Sequence, residues 1–486
     1  MRTARTEGKR AVCPAVAYRR DVFFRQFHLE SLGHASYLIG DDSSGRALVL
    51  DPRRDVEVYF EAARSAGLQI HYALDTHGHN DYLSGLTELR QRADIEVLAF
   101  AGGSYGYEHT PVRDGDRISF GNLTVQILHT PGHTPEHISL LVFDQESGGI
   151  EPALMLSGGA VLVGDLARPD LLGGEEQARS AAIEYCHTIQ EKILFQLPAH
   201  LEIFPTHVAG SLCGGNIGSR LSTTLGYEQK TNAILARVSS SEGFVEECIR
   251  LDNLPAVPPY WRRMRAQNMD GVAALGVLKE PPALKPDQFE DYAASGMVVL
   301  DTRDVEAFGG AHIPGALNVG LGSSFSTWAG TFVPDGARVL LVVRDPTDLW
   351  EATWQLLRVG YAPPEGWLSG AMPAWRASAK PLESTRQMTV DELHKELSSK
   401  DLHVLDVRQP SEWADGHIPG AQFITGAELP ARVEEVPRDE VVAVICGTGY
   451  RSSASGSLLQ HEGYERVVNV IGGMSAWSQA GYEQER

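Results

Sequence analysis

The sequence predicts an α/β protein in three parts: a mixed α/β domain with two sheets, followed by two copies of a smaller unit with a parallel sheet. Length is the first observation, since 486 residues correspond to roughly three domains at about 150 residues each. The second is an internal repeat. VVLDTRDVEAFGGAHIPGALNV at 298–319 matches HVLDVRQPSEWADGHIPGAQFI at 403–424, so that Asp301, His312 and Gly315 pair with Asp406, His417 and Gly420, each 105 positions on. SGAMPAW at 369–375 matches IGGMSAW at 471–477. The third is texture: within each copy short β-branched runs are followed by helical patterns, which is the signature of parallel strands joined by helices.

Taken in order, the basic stretch 1–20 has no apolar segment behind it, so it reads as a disordered leader and not a secretory signal. Over 21–250 the apolar runs ASYLIG, ALVLD, EVLAF, LTVQILHT and ISLLVFD alternate with turns, and LSGLTELRQR and EQARSAAIEYCHTIQEKILFQL carry helical periodicity. A proline-bearing, aperiodic stretch, 251–282, reads as a linker packed on the first domain by Tyr260 and Trp261. Copy one covers 283–382 and copy two 386–486. VVLD and RVLLVV are the strands of copy one, VLDV and VVAVI those of copy two, with LWEATWQLLRVGY and RSSASGSLLQHEGY as the helices that follow.

Composition excludes some functions. With 42 Lys and Arg against 63 Asp and Glu the formal charge is −21, which disfavours a nucleic-acid partner and an anionic membrane surface. Cys13, Cys186, Cys213, Cys248 and Cys446 form no CxxC pair, so a reducing, cytoplasmic setting is expected.

Four motifs in the first domain each put His or Asp on a loop just after an apolar run: Thr76-His77-Gly78-His79-Asn80-Asp81-Tyr82, Pro131-Gly132-His133, Gly164-Asp165 and Pro205-Thr206-His207. Loops at one sheet edge can converge on a single ion. Together and in this order the motifs resemble the metallo-β-lactamase superfamily over roughly residues 25–250, which implies an αββα sandwich with the metal at the sheet edge. The usual HxHxDH ends here in Tyr82, whose phenol titrates near 10, so one metal is expected and not two. LVGDLARPDLLG and HVAGSLCGGN…STTLGYEQKTN resemble the persulfide dioxygenase–rhodanese fusion family. That resemblance implies His77, His133 and Asp165 as the ligands of one Fe(2+) per chain, a facial triad with open positions, with Zn(2+) as the alternative. His79, Asp81 and His207, with Tyr82 beside them, then orient ligands and waters. Arg168, paired with Asp170, braces the loop of Asp165. Arg220, Tyr227 and Lys230 are candidates to hold an anionic substrate, and Cys213 lines the channel or packs the core.

In copy two the run VVAVI enters Cys446-Gly447-Thr448-Gly449-Tyr450-Arg451-Ser452. A strand, a tight glycine-bearing loop and a helix N-terminus aim backbone N–H groups at the sulfur, and with Arg451 they favour the thiolate. With LDVR before it and GGMSAW after, this resembles a catalytic rhodanese domain, which implies sulfur transfer at Cys446. Copy one also resembles a rhodanese, but its loop, Val343 to Asp348, has no cysteine and contains Pro346, so it is expected to be inactive and to serve as scaffold.

The combined expectation is a bifunctional sulfur-oxidising enzyme. It takes a low-molecular-weight persulfide such as glutathione persulfide and O₂ to thiol and sulfite, and moves sulfane sulfur to or from sulfite and thiosulfate at Cys446. A homo-oligomer, dimer or tetramer, is expected from relatives. Two alternatives remain: a glyoxalase II-like zinc thioester hydrolase fused to a sulfurtransferase, and a rhodanese whose metal domain binds sulfur species without oxygenating them.

Overall fold

The computed structural model describes residues 22–146, 148–250, 254–397 and 401–486. The leader and Cys13 lie outside them. Among the described residues no helix is long and apolar enough to cross a membrane.

The amino-terminal part is two six-stranded sheets face to face. The first runs in chain order through Val22–Leu29, His34–Asp41, Arg46–Leu50, Gln69–Leu74, Glu96–Phe100 and Thr110–Val112. The second runs through Arg117–Phe120, Leu123–His129, Ile138–Asp144, Leu154–Gly158, Glu202–Pro205 and Thr223–Thr224. Tyr37, Leu50 and Leu74 of one sheet and Val125, Leu140 and Leu156 of the other bury into a common core. Helices Glu57–Ser65 and Leu86–Arg92 cover the outer face of the first sheet. Glu175–Thr188 and Ser241–Cys248 cover the second. This is the αββα sandwich. Each layer buries only one of its faces against the other sheet and needs a helix on its back.

Both later units contain five-stranded, all-parallel sheets with the same strand order. In copy one this is Ala283–Leu284, Gly366–Leu368, Val339–Val342, Val298–Asp301, Leu317–Asn318. In copy two it is Arg386–Met388, Val467–Val470, Val441–Ile445, Leu402–Asp406, Gln422–Phe423. Copy one touches both other parts. Arg358 makes a bidentate pair with Asp55 at 3.0 and 2.7 Å, and its carbonyl accepts from Leu83 N–H. On the opposite side Asn318 bonds Ser457 and Ser453, and Gly320 accepts from the Tyr450 hydroxyl.

The aperiodic stretch contains a helix, Trp261–Asp270. Tyr260 and Trp261 are buried, with Tyr260 between the Asp81 carbonyl and Gly330 of copy one, and the helix also builds the site. Arg265 binds both oxygens of the buried Glu136 at 2.9 Å and the carbonyl of Gly78 at 3.0 Å. Asn268 Nδ2 donates to the carbonyls of His79 and Tyr82 at 2.8 Å. The helix thereby fastens the His77 and His133 loops together. Its sequence hides this, because the inward stripe is Trp261, Met264 and Asn268 among charged residues.

Burial alone pushes the Glu136 carboxyl up. The hydrogen bonds and charge of Arg265, with the Gly78 N–H, outweigh burial and hold it at about 2. A depressed carboxyl stabilises the fold above its ordinary range near 4.5 and loses that contribution as pH falls toward 2. Arg265→Ala is expected to destabilise the chain by about 3 kcal/mol at neutral pH. It should also remove the Arg265-dependent part of the acid-induced loss between pH 4.5 and 2, followed by denaturant titrations across that range.

Candidate functional site

The buried carboxylate of Asp51 organises the sheet edge. It closes the strand Arg46–Leu50 with φ at +51°. It accepts from Thr76 N–H at 2.6 Å, from the Thr76 hydroxyl, from His79 Nε2 at 2.9 Å and from the Thr206 hydroxyl. Thr76 follows a strand of the first sheet and Thr206 a strand of the second, so one carboxylate ties both edges. Burial opposes its charge, but His79 and these donors outweigh that and hold its pKa below the ordinary value.

Five buried imidazoles meet there, and one of them, His137, has both nitrogens taken, by the Thr130 hydroxyl and the Gly159 N–H. The His77 ring centroid lies 4.2 Å from that of His79, 4.8 Å from that of His133 and 5.3 Å from that of His207. The Thr76 hydroxyl donates to Asp51, so its oxygen accepts His77 Nδ1–H at 2.8 Å, and the lone pair of His77 sits on Nε2. His133 Nδ1 donates to the carbonyl of Arg168 at 2.7 Å, leaving Nε2 without a partner. His207 Nδ1 faces Asp81 at 3.5 Å and the Ser211 hydroxyl at 3.4 Å, and its Nε2 lies 3.4 Å from Nε2 of His77. Burial and the neighbouring imidazoles hold His77 and His133 well below the ordinary histidine pKa. Burial also opposes charge on His207, but Cys213 and Asp81 beside it outweigh that and hold its pKa well above the ordinary value. Such a set, with one nitrogen of each ring fixed from behind, has the build of a metal centre.

The structure corrects the expectation for Asp165. Its carboxylate accepts from the backbone N–H groups of Leu166 and Asn216, both at 2.8 Å. It lines a cleft of about 340 Å³ with Arg168, Asn216 and Arg250. Among the described residues it belongs to no group of three converging ligand atoms. The part of that loop lying against His133 is Gly159, which has no side chain, and a Cβ there would come within 2.9 Å of the ring. Asp165 stands six residues further on. Two imidazoles and a carboxylate are therefore not assembled, and the residues do not fit the expected iron triad.

Arg168 does brace the site. It pairs bidentately with Asp170 at 2.7 Å, and its backbone N–H holds the Cys213 carbonyl at 2.7 Å. Cys213 is buried with its sulfur close to nitrogens of His133 and His207. Tyr82 donates to the Asp51 carbonyl at 3.2 Å and packs between His34 and His79, so its phenol is no ligand. Arg220 stacks over Tyr227 at 4.9 Å, but both are exposed, as is Lys230. The three do not join the buried histidines. Sequence reasoning passed over Glu228, whose carboxylate accepts from Gly164 N–H and Thr223, and Asp51 itself. Asp51 does close an apolar run, as the motif residues follow theirs.

The second site lies where the strand Val441–Ile445 meets the helix Tyr450–His461. Gly449 N–H donates to Cys446 Sγ at 3.1 Å, and the Ser452 hydroxyl lies 3.4 Å from it. Ser452 donates to Asn469 at 2.6 Å. The Arg451 guanidinium is taken by Glu412 at 2.6 and 2.7 Å, so it stiffens the loop through an ion pair that sequence reasoning missed. The GGMSAW motif explains itself here. Gly472, Met474 and Ser475 N–H groups bind the carbonyls of Thr448, Cys446 and Gly447, which turns those carbonyls away from the sulfur. Gly473 has φ +52°, and a Cβ would lie 2.3 Å from the Cys446 carbonyl oxygen. Copy one has Ala371 at this place, at φ +49°, over a loop with no thiol.

Residues 30–146 match the metallo-beta-lactamase superfamily, and 285–378 and 389–480 each match the rhodanese-like domain. Over 179 residues, 35% of its length, the chain is 30% identical to persulfide dioxygenase ETHE1, mitochondrial, of Bos taurus, and spans 63% of that protein's length. Over 83 residues, 17% of its length, it is 37% identical to a sulfurtransferase of Allochromatium vinosum, 78% of which is covered. The structure of a metallo-beta-lactamase from Staphylococcus aureus subsp. aureus COL superposes with a TM-score of 0.63 at 30% identity, over 71% of this chain and 98% of that one.

Gly473→Ala is expected to cost about 1–2 kcal/mol for its backbone conformation alone, and to push the Cys446 loop away by the added contact. Thermal denaturation with a parallel thiosulfate sulfurtransferase assay checks this, activity falling further than the stability change accounts for.

Proposed function

The chain belongs to the metallo-β-lactamase superfamily and carries two rhodanese-like domains, and on that premise we propose a sulfur-metabolising protein that transfers sulfane sulfur at Cys446. The observation that carries this reading is the cradle around one thiol: Gly449 N–H on Sγ, a helix N-terminus beyond it, and carbonyls held outward. The Cys446 thiolate attacks the outer sulfur of thiosulfate or a persulfide, and the S–S bond breaks with its electron pair leaving on sulfite or thiolate. The outer sulfur stays on Cys446 as a persulfide whose charge faces the loop N–H groups. An acceptor, sulfite or thiol, then attacks that sulfur and restores the Cys446 thiolate. No outside oxidant is needed.

A second reading is oxidation of a low-molecular-weight persulfide by O₂ in the amino-terminal domain, in the balance RSSH + O₂ + H₂O giving RSH, SO₃²⁻ and two protons. The similarity to persulfide dioxygenases and the buried imidazoles of His77 and His133, with ring centroids 4.8 Å apart, support it. It would supply the sulfite that the Cys446 site accepts. The placement of Asp165 weighs against it.

Cys446→Ser is expected to reduce thiosulfate sulfurtransfer to background with the fold unchanged. Retained transfer in that variant rejects the first reading. Oxygen uptake on adding glutathione persulfide to anaerobically purified chain tests the second, which requires about one iron per chain. Absence of uptake with glutathione and coenzyme A persulfides rejects it.

A further inference from the structure

We propose that Ser452 accepts the S–H of the Cys446 thiol and offers no proton to the thiolate, because a buried line of amides, Asn469 and Gln387, fixes which way its hydroxyl points. This deepens sulfur transfer at Cys446, and it rests on that reading for the thiol being the sulfur carrier.

The direction of the line follows from its far end. Gln387 Nε2 lies 3.0 Å from the Thr385 carbonyl, which can only accept. The amide nitrogen of Gln387 therefore faces Thr385, and its oxygen is left for Asn469 Nδ2 at 2.8 Å. Asn469 then turns its own oxygen to Ser452, 2.6 Å from the hydroxyl. A hydroxyl has one proton to give, and here it goes to Asn469. What Ser452 turns toward Cys446 Sγ, 3.4 Å away, is a lone pair. Cys446, Ser452 and Asn469 are at most 1% exposed, so bulk water does not reach this end of the line.

A lone pair at that place suits an S–H and opposes an anion. The thiolate keeps the Gly449 N–H at 3.1 Å as a donor and gains none from Ser452. Nucleophilicity of a thiolate rises with its proton affinity, so the line favours attack on the outer sulfur of a donor over storage of the free anion. Copy one agrees. SGAMPAW aligned with IGGMSAW puts Trp367 in the place of Asn469, on the strand beside the central one, and that copy has no thiol to tune.

The charged and titratable groups around the thiol are engaged elsewhere. Arg451 faces it and is held by both oxygens of Glu412. Asp406 and Arg408 pair with each other beyond. From copy one, the Gly320 carbonyl takes the Tyr450 hydroxyl, and burial pushes that phenol up, so it stays neutral. The strands Val441–Ile445 and Val467–Val470 and the helix Gly473–Gln479 carry no titratable side chain. Substitutions in the amide line leave all of these groups unchanged.

The test follows alkylation of Cys446 by iodoacetamide in the full chain across roughly pH 5–10, with Cys446→Ser as the blank for the other thiols. Ser452→Ala removes the acceptor, and the alkylation midpoint should move to lower pH. Asn469→Leu frees the hydroxyl to donate to the thiolate. Its midpoint should move down by about one unit, and loading by thiosulfate well above the midpoint should slow about threefold. Adding Ser452→Ala to Asn469→Leu should move the midpoint back up. The sign of the Ser452→Ala effect thus reverses when Asn469 is lost, which a packing defect does not produce. Should Asn469→Leu fail to fold, the S–H stretching band of Cys446 decides, recorded at about pH 5 as the difference between the chain and Cys446→Ser. It should lie at the lower frequency of a hydrogen-bonded thiol and rise in Ser452→Ala. A midpoint that rises in Ser452→Ala, one sign in both backgrounds, or an S–H band that Ser452→Ala does not move would each overturn the proposal. Sign reversal in a chain without sulfurtransfer would uphold the placement of the Ser452 proton and reject Cys446 as a sulfur carrier.

Discussion

One buried carboxylate, that of Asp51, holds the amino-terminal domain in register. The two sheets approach face to face through apolar side chains, and apolar packing is non-directional; it sets a distance but not an alignment of edges. Asp51 supplies the alignment. Its acceptors are filled by Thr76 from one sheet, Thr206 from the other and His79 between them. A non-glycine residue in the left-handed region costs on the order of 1 kcal/mol, and aspartate is among the residues that tolerate it best. The strain is held in place by these bonds, and every metal-type nitrogen stands within one or two residues of a group that Asp51 orders or shares an edge with that group.

Much of the architecture was readable because its signals are local. The strands Val298–Asp301, Val339–Val342 and Val441–Ile445 are apolar and β-branched, and the 105-residue repeat announces two equal units. The Cys446 loop was legible for the same reason: strand, glycines and helix are contiguous. The histidine pocket was legible as a set but not in its membership. Sequence order puts Asp165 after the right strand, but how far a loop carries its carboxylate is tertiary information, and six residues beyond Gly159 the chain has turned into another cleft. Cys213 illustrates the converse. The sequence marks it only by its place six residues after His207 on the same loop, and the neighbour it cannot show, His133, arrives from another strand. The helix Trp261–Asp270 escaped because half of what it buries is polar: Asn268 and Arg265 are inward-facing residues that bind carbonyls and a carboxylate and pack no core.

The two sites use backbone differently. At Cys446 the main chain is the machinery: the Gly449 N–H faces the sulfur, and the N–H groups of Gly472, Met474 and Ser475 hold the loop carbonyls. Arg451, expected to favour the thiolate, is held by both oxygens of Glu412. In the histidine pocket the main chain is the frame. The carbonyl of Arg168 chooses the tautomer of His133, and its N–H fixes Cys213, while the guanidinium of the same residue is spent on Asp170 and the Pro255 carbonyl.

The thiol-free copy separates what a rhodanese fold needs from what its chemistry needs. Its flanks are committed: Arg358 is buried against Asp55, and Asn318 against Ser453 and Ser457. In its loop from Val343 to Asp348 only Val343 is buried, Arg344 to Thr347 being exposed, and Ala371 stands where copy two has the glycine that crowds the loop. In evolutionary terms the duplication has divided its constraints. The exposed part of that loop, Arg344 to Thr347, tolerates change in length and sequence. The pairs 55–358 and 318–453 can change only together, because a lone change at either would leave a buried charge or amide without its partner.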